Sequence, residues 1–434
     1  MTPEQPGLAR VSHPLQLHSE SPDARTERSA SVIVVGAGPA GAATAFFLAT
    51  EGVDVLLLDR ARFPREKACA EYLSPQAARI LSAMDALLPL ETGQHATLAG
   101  MSIRAPNGVR LRGDFAAQHG FQGFRDRGLA IRRTLLDATL VDRARAAGAR
   151  VVEGIRVTDV IRGSDGRVAG VVALNPDGAS IRLTANVVVG ADGLRSVVAR
   201  RLRLQHRMRW PRRLALVTHY QGVESIGDYG EMHVERDGYA GLADVGGGET
   251  NVAVVVPASE ARTVALDRGA YMAAWLNRRP QLAARFSRAE RSGPVMATGP
   301  FASHVTRAWA PGAALVGDAA DFFDPFTGEG IYAALRGGEL LASYLADTVV
   351  TGGSTNADGA LRAYEAARRH EFGGKWMVER MVGLAVGWPP LMNHVAGVLA
   401  RRKDMADLLV GVTGDFVPAR AVLRPGFLAG LLFR

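Results

Sequence analysis

Val32-Ile33-Val34-Val35-Gly36-Ala37-Gly38-Pro39-Ala40-Gly41 decides the fold. An apolar run, a glycine turn and the small-residue stretch Ala42-Ala-Thr-Ala-Phe-Phe-Leu-Ala49 read as strand, turn and helix. Gly36 permits the tight turn, Gly38 lets backbone approach a pyrophosphate, and Gly41 lets helix and strand pack closely. The helix N-terminus points free N–H groups and a partial positive charge at the phosphates. A second apolar run, Val53-Asp-Val-Leu-Leu-Leu58, ends in Asp59 and Arg60. Asp59 lies roughly 20 residues past the glycines, where an acid takes the ribose hydroxyls of a dinucleotide. The alternative role for such an acid is a turn or helix cap.

The 434 residues exceed the usual size of one core, so two interleaved domains are expected. Hydrophobic residues make up 47% and charged residues 22%, which excludes global disorder. The net charge is +8, but the arginines are scattered and no basic patch alternates with aromatics. That pattern argues against a nucleic-acid partner. A single cysteine, Cys69, excludes a disulfide framework and a cysteine-rich metal centre, and no metal is expected. No secretory signal and no apolar run of about 18 residues is visible, so a cytoplasmic location is expected.

The fold class is α/β: a Rossmann-like nucleotide-binding domain with a β-meander, interleaved with an antiparallel-sheet substrate domain and followed by a helical C-terminal region. Residues 1–30 are polar and proline-interrupted and read as a disordered tail. Residues 31–206 form the first part of the nucleotide-binding domain, with substrate-domain insertions. Residues 207–300 form the substrate domain, 301–350 return to the first domain, and 351–434 are helical. Within the first part, residues 128–149 carry a helix with Leu135, Leu136, Thr139, Leu140 and Ala144 on one face. Val151-Val152, Arg156–Ile161, Val168–Leu174 and Ile181-Arg-Leu read as meander strands, turned at Ser164-Asp-Gly166 and Pro176-Asp-Gly178. Asn186-Val-Val-Val-Gly190 reads as a separate, buried parallel strand. Gly246-Gly-Gly248 is a turn between antiparallel strands.

Two further motifs follow apolar strands and so lie at strand C-terminal ends, where open α/β sheets bind ligands. They are Gly190-Ala-Asp192-Gly193-Leu-Arg195-Ser196 and Gly317-Asp318-Ala-Ala-Asp-Phe-Phe-Asp-Pro325-Phe-Thr327-Gly328-Glu329-Gly330-Ile331. In order and spacing, the three motifs resemble those of the FAD-dependent oxidoreductases of the aromatic-hydroxylase, glutathione-reductase-like fold. The geranylgeranyl-reductase and flavin-monooxygenase branch is the nearest, over about residues 31–350. The resemblance implies FAD as cofactor, with Gly36, Gly38, Pro39, Ala40 and Gly41 at the pyrophosphate and Asp59 and Arg60 at the adenosine ribose. It implies Arg133 near the FAD, Asp192 bracing it, and Gly317-Asp318 at the ribityl chain. Gly328, Gly330 and Ile331 bring backbone N–H groups to the flavin N1–C2=O edge, where reduction places negative charge. Arg65-Glu-Lys-Ala-Cys69-Ala-Glu71 resembles the segment that packs beside the isoalloxazine, with Ala70 where glycine is common.

By the same resemblance the leading function is a monooxygenase that hydroxylates a hydrophobic aromatic or polyketide-like small molecule through a flavin hydroperoxide. The alternative is a reductase that saturates prenyl-lipid double bonds. Cys69, Phe323 and Pro325 are the catalytic candidates. His219, Tyr220, His233, Tyr239, Phe322 and Phe323 are candidates for the substrate wall, against a plain packing role. The absence of a Trp-x-Trp-x-Ile-Pro segment argues against a halogenase. With no second glycine fingerprint, NAD(P)H is expected to bind transiently, or a separate electron-donor protein supplies electrons. The apolar runs Met381–Trp388, Leu391–Leu399 and Phe427–Phe433, beside Arg401-Arg-Lys403, suit either weak peripheral contact with a membrane or packing on the substrate domain.

Overall fold

The computed structural model describes residues 29–117, 119–207, 212–351 and 357–433. All but the last two residues of the segment read as a tail lie outside them.

Strand β1 (Ala30–Val35) leads through the glycine turn into helix α1 (Pro39–Thr50) and returns as β2 (Val55–Asp59). The two strands pair in parallel, Val32 opposite Val55. Both are covered on both faces, which is why they read as unbroken apolar runs. The chain then leaves this sheet to form the hairpin β3 (Gly100–Arg104) and β4 (Arg110–Asp114). Helix α2 (Arg133–Ala146) carries it back to β5 (Arg150–Glu153), which pairs in parallel with β2. Val151-Val152 therefore belongs to the parallel sheet and not to the meander. It follows a helix directly, so it completes a crossover.

The meander consists of β6 (Arg156–Arg162), β7 (Val168–Leu174) and β8 (Ser180–Gly190). Strand β8 is continuous where the sequence reading divides it. Its first half pairs antiparallel with β7, and Ala185 to Gly190 pairs in parallel with β1. No turn residue interrupts Arg182-Leu-Thr-Ala, so the strand passes from one pairing to the other. Helix α3 (Val197–Arg201) follows.

The second sheet is built from β9 (Arg213–Gln221), β10 (Tyr229–Glu235), β11 (Gly238–Asp244) and β12 (Glu249–Pro257). These pair antiparallel in the order β9, β12, β11, β10, and β10 then takes β3 in parallel. Ala215, Val217, Val234, Tyr239 and Val255 share one core, and Leu214, Leu216, Ala240, Leu242 and Val254 share another with Trp275. Alternate residues thus serve opposite faces, and both faces are covered.

Strand β13 (Ala313–Leu315) rejoins the parallel sheet beside β8. Helix α4 (Gly330–Thr351) lies on α1, where a Cβ at Gly338 would stand 2.8 Å from Ala40 O. The chain ends in α5 (Ala357–Gly387), α6 (Pro389–Arg401), α7 (Lys403–Thr413) and α8 (Pro425–Phe433). Buried residues of α5 to α8, among them Val386, Met392, Leu399, Met405 and Phe427, join the core of the second sheet. Asp407 ties α7 to β4 by accepting from Asp114 N at 2.8 Å. Helices α5 and α6 meet at 113°, and among the described residues no single helix is long and apolar enough to cross a membrane.

Candidate active site

The three glycines of the first motif do different work. Gly36 has φ +98°, and a Cβ there would stand 2.6 Å from Ala191 O. A Cβ on Gly41 would fall 1.7 Å from Gly36 O, so this glycine sets how closely α1 packs. Gly38 faces space instead. The nearest atoms to a Cβ there are Arg65 Nη2 at 3.5 Å and Arg133 Nη2 at 3.9 Å. Pro39 and Ala40, buried at the start of α1, complete the turn, and a Cβ at Gly317 (φ +60°) of the other motif would stand 2.8 Å from Ala40 Cβ.

Arg133 Nε and Nη2 hold both oxygens of the fully buried Asp137 at 2.8 Å, and Arg65 lies 3.3 Å from the same carboxylate. Two guanidinium groups are thereby aimed at Gly38, a geometry suited to a diphosphate. Asp59 accepts from Ala37 N and Ala61 N, each at 2.8 Å. It fastens the glycine turn to β2 and keeps one further lone pair on each oxygen. Arg60 is exposed.

Asp192 Oδ2 accepts from Val197 N at 2.6 Å, while its Oδ1 is buried and unpartnered. Burial raises its pKa against the hydrogen bonds from Ser196 and Val197. Gly193 beside it has φ +77° and open space at its Cβ position. Asp318 has no hydrogen-bond partner among the described residues. Burial lifts its pKa, and Lys67 and Arg133 oppose that lift. Lys67 is depressed by burial and by Arg133, with Asp318 acting against both.

Cys69 is half-buried and lies against the parallel-sheet core. Its Sγ accepts from Glu71 N at 3.4 Å and its carbonyl from Asn251 Nδ2 at 2.9 Å. Glu71 sits at φ +60° and is the hub of the segment. Its Oε1 accepts from Arg133 N at 2.8 Å, and its Oε2 from His219 Nε2 at 2.7 Å and Asn251 Nδ2 at 3.0 Å. His219 is thus a buried tether of this segment.

The remaining aromatic and imidazole candidates separate. Tyr220 points to the opposite face of β9 from His219 and packs edge-on against Phe286 at 5.1 Å, away from the site. The alternation of the strand decides this. His233 Nε2 pairs with Glu231 Oε2 at 2.8 Å. Tyr239 donates to Asp324 Oδ1 at 2.6 Å, and Arg213 Nη1 holds Asp324 Oδ2 at 2.6 Å. Asp324 also accepts from Phe326 N at 3.1 Å, so Tyr239 and Arg213 act by fixing the Pro325–Thr327 turn. Phe322, Phe323, Pro325, Phe372 and Trp376 wall a cavity against Gly317, Asp318 and Gly330, with Arg380 4.9 Å over the Phe323 ring. Cys69 does not line this cavity. Gly328 (φ +74°) closes the turn over Tyr72, and Ile331 is buried in the first turn of α4.

Two separate networks, Glu71 with His219 and Asn251 and Arg213 with Asp324 and Tyr239, and the aim of Arg65 and Lys67, went unread in the sequence. Two signals were present: Asn251 is a polar residue opening an apolar strand, and Asp324-Pro325 is a turn-initiating pair.

The FAD binding domain profile matches residues 29–377. The chain belongs to the FAD-dependent oxidoreductases of the aromatic-hydroxylase fold, in the geranylgeranyl-reductase and flavin-monooxygenase branch. It is 28% identical over 399 residues to a menaquinone reductase of Mycolicibacterium smegmatis, spanning 89% of this chain and 92% of that one. It is 30% identical over 360 residues to a digeranylgeranylglycerophospholipid reductase of Methanothrix thermoacetophila, spanning 79% and 83%. Among solved structures it resembles a flavoprotein/dehydrogenase from Cytophaga hutchinsonii, with TM-score 0.77 at 20% identity over 89% of this chain and 92% of that one. It also resembles the myxobacterial chondrochloren halogenase CndH, with TM-score 0.73 at 23% identity over 81% and 82%. Identities at that level speak for the fold alone. The open space at Gly38, the two facing guanidinium groups and the unpartnered Asp318 fit an FAD in this fold.

Proposed function

We propose that the protein is an FAD-dependent reductase that saturates carbon–carbon double bonds of a prenyl-type lipid. The observation that carries this reading is the aromatic cavity built directly onto the Gly317–Gly330 turn. Its rings suit an isoprenoid chain, and the two sequence relatives named above, at 28% and 30% identity, are reductases. Gly36, Gly38, Pro39, Ala40 and Gly41, with Arg65 and Arg133, hold the pyrophosphate. Asp59 and Arg60 stand at the adenosine ribose, Asp192 braces the cofactor, and Asp318 takes the ribityl hydroxyls. The N–H groups of Gly330 and Ile331, which have no helical acceptor at the start of α4, meet the flavin edge. Bound FAD supplies the two-electron reductant at this site. NAD(P)H, bound transiently, or a separate donor protein reloads it.

The second reading is hydroxylation of a flat aromatic molecule. Phe322 and Phe323 favour it, because the same rings would exclude water from an oxygenating site. Reduced enzyme given ¹⁸O₂ together with a menaquinone or a geranylgeranyl lipid separates the two. A product heavier by two hydrogens, formed equally well without O₂, is expected. A product carrying one labelled oxygen would replace the reductase by the hydroxylase.

The exposed side chains Met377, Leu384 and Trp388, near the α5–α6 bend, give the protein a face for peripheral contact with a membrane that holds its substrate.

A further inference from the structure

The cavity has a wall that the preceding description leaves unused. Glu329 and Glu379 both line it. Glu329 is only 4% exposed, and its carboxyl group has no hydrogen-bond partner among the described residues. Behind it, Lys375 is paired with Asp415, which also takes a hydrogen bond from Ser74. Three carboxyl groups thus surround one ammonium, and Asp415 already answers its charge. Glu329 and Glu379 are left facing the cavity without a cation of their own. Such groups keep their protons rather than ionise. Burial, with Asp415 adding to it and Lys375 opposing, lifts Glu379 to about 8, and Glu329 is raised well above the ordinary carboxyl range. The other titratable or charged groups around Glu379 and Glu329 are Asp318, Asp321 and Asp324 on the Gly317–Gly330 segment, Tyr364 and Arg368 on α5, and Tyr72 and Tyr332, with Glu371 acting on Asp415 behind them. The Tyr72 hydroxyl is buried and unpartnered.

Building on the reductase reading, we propose that Glu379, backed by Glu329, is the acid that protonates the substrate double bond. One carbon of the C=C bond receives a hydride, that is, one hydrogen with two electrons, from the reduced flavin. The other carbon takes H⁺ from the Glu379 carboxyl as the π bond breaks, and the carboxylate recovers its proton from water. A donor on the substrate side is needed because the carbon accepts its proton as the electron pair arrives. The acid must be protonated to act, so turnover falls as pH rises through its titration.

The test compares FAD-loaded wild type with Glu379→Gln. Infrared spectroscopy reads the carbonyl band of protonated carboxyl groups against pH, without substrate. Single-turnover reduction of a menaquinone by chemically reduced enzyme reads the reaction. In the wild type, a carboxyl band that titrates near pH 8 is expected, together with a rate that falls over the same range. In Glu379→Gln that band is lost, and the rate drops about a hundredfold and no longer depends on pH there, while flavin reduction is unchanged. A wild type with no protonated carboxyl at neutral pH, or a variant that keeps the wild-type rate, overturns the proposal alone. A wild type whose product carries oxygen in place of two hydrogens overturns the proposal and the reductase reading together.

Discussion

His219 Nε2 donates to Glu71 Oε2 at 2.7 Å, and both side chains are buried. The bond joins the segment carrying Cys69 to the second sheet, because His219 stands on β9 opposite Asn251 on β12, and Asn251 reaches the same carboxylate. A histidine that the sequence offers as substrate wall is thereby a clasp between the two halves of the molecule. It also fixes the ring: Nε2 carries the proton because Glu71 accepts it.

Replacing His219 by Ala removes one donor from a buried carboxylate. Glu71 keeps its bonds from Asn251 and Arg133 N, so the loss is partial. Stability should fall by about 1–3 kcal/mol, measured by denaturant unfolding. FAD should dissociate more readily, because the Arg65–Glu71 segment is loosened. A variant as stable as the wild type would show that the clasp carries no strain across the joint.

Gly38 and Gly41 should fail in different ways. A side chain at Gly38 enters the space before Arg65 and Arg133 without meeting the protein. Gly38→Val should fold and purify as colourless apoprotein. Gly41→Val drives a carbon into Gly36 O and should not accumulate as folded protein. Flavin absorption per chain and the unfolding transition read the two outcomes. A Gly38→Val enzyme with full flavin occupancy would refute the cradle.

Arg213 and Asp324 form a buried pair beneath the Pro325–Thr327 turn. Arg213→Leu leaves Asp324 with only Tyr239 and the Phe326 N–H. Removing one partner of such a pair costs about 3–5 kcal/mol. The melting temperature should fall accordingly, and the double variant Arg213→Leu with Asp324→Asn should recover part of the loss.

Cys69→Ser keeps an acceptor for Glu71 N, so the fold should be retained to within about 1 kcal/mol. If Cys69 adjoins the isoalloxazine, the visible flavin spectrum and the turnover rate shift. Identical spectra and kinetics would assign the thiol to packing.

Trp388, between α5 and α6, is 59% exposed and Leu384 on α5 is 48% exposed, with Arg380 exposed on α5, Arg401 at the end of α6 and Lys403 at the start of α7. Flotation with anionic phospholipid vesicles should carry the protein upward at low salt and less at high salt. Leu384→Asp with Trp388→Asp should abolish flotation while leaving the unfolding transition in place. No flotation of the wild type would remove the membrane contact.

The parallel half was legible because its signal is local. Glycine turn, apolar strand and terminal acid sit within one stretch, and the Gly317-Asp318 and Asp192-Gly193 motifs repeat that grammar. Asp59 shows where such reading stops. The fingerprint finds the residue, but only the folded chain reveals that Ala37 and Ala61 already occupy it. The substrate side was harder still, because its determinants pair across long separations. Glu71 meets His219, Arg213 meets Asp324, and Glu379 comes to Glu329 from another helix, and no spacing in the sequence announces these meetings. Tyr220, a wall candidate weighed against plain packing, takes the packing role. Its strand is apolar on both faces, so alternation alone gives no inside or outside.

Strands β3 and β4 pair with each other but precede β10 in the chain by more than the whole meander, and the second edge of β3 finds its partner only there, Gly100 beside Tyr229. During synthesis the hairpin must therefore wait, with one edge unpaired, until Tyr229 to Glu235 emerges from the ribosome. An unpaired edge of this kind invites pairing with a neighbouring chain. Arg104, Arg110 and Arg112 line this hairpin and supply the like-charge repulsion that discourages such encounters. The same interleaving means that neither half can be expressed alone by cutting the chain once. A fragment beginning after the meander would lack two strands of its own sheet.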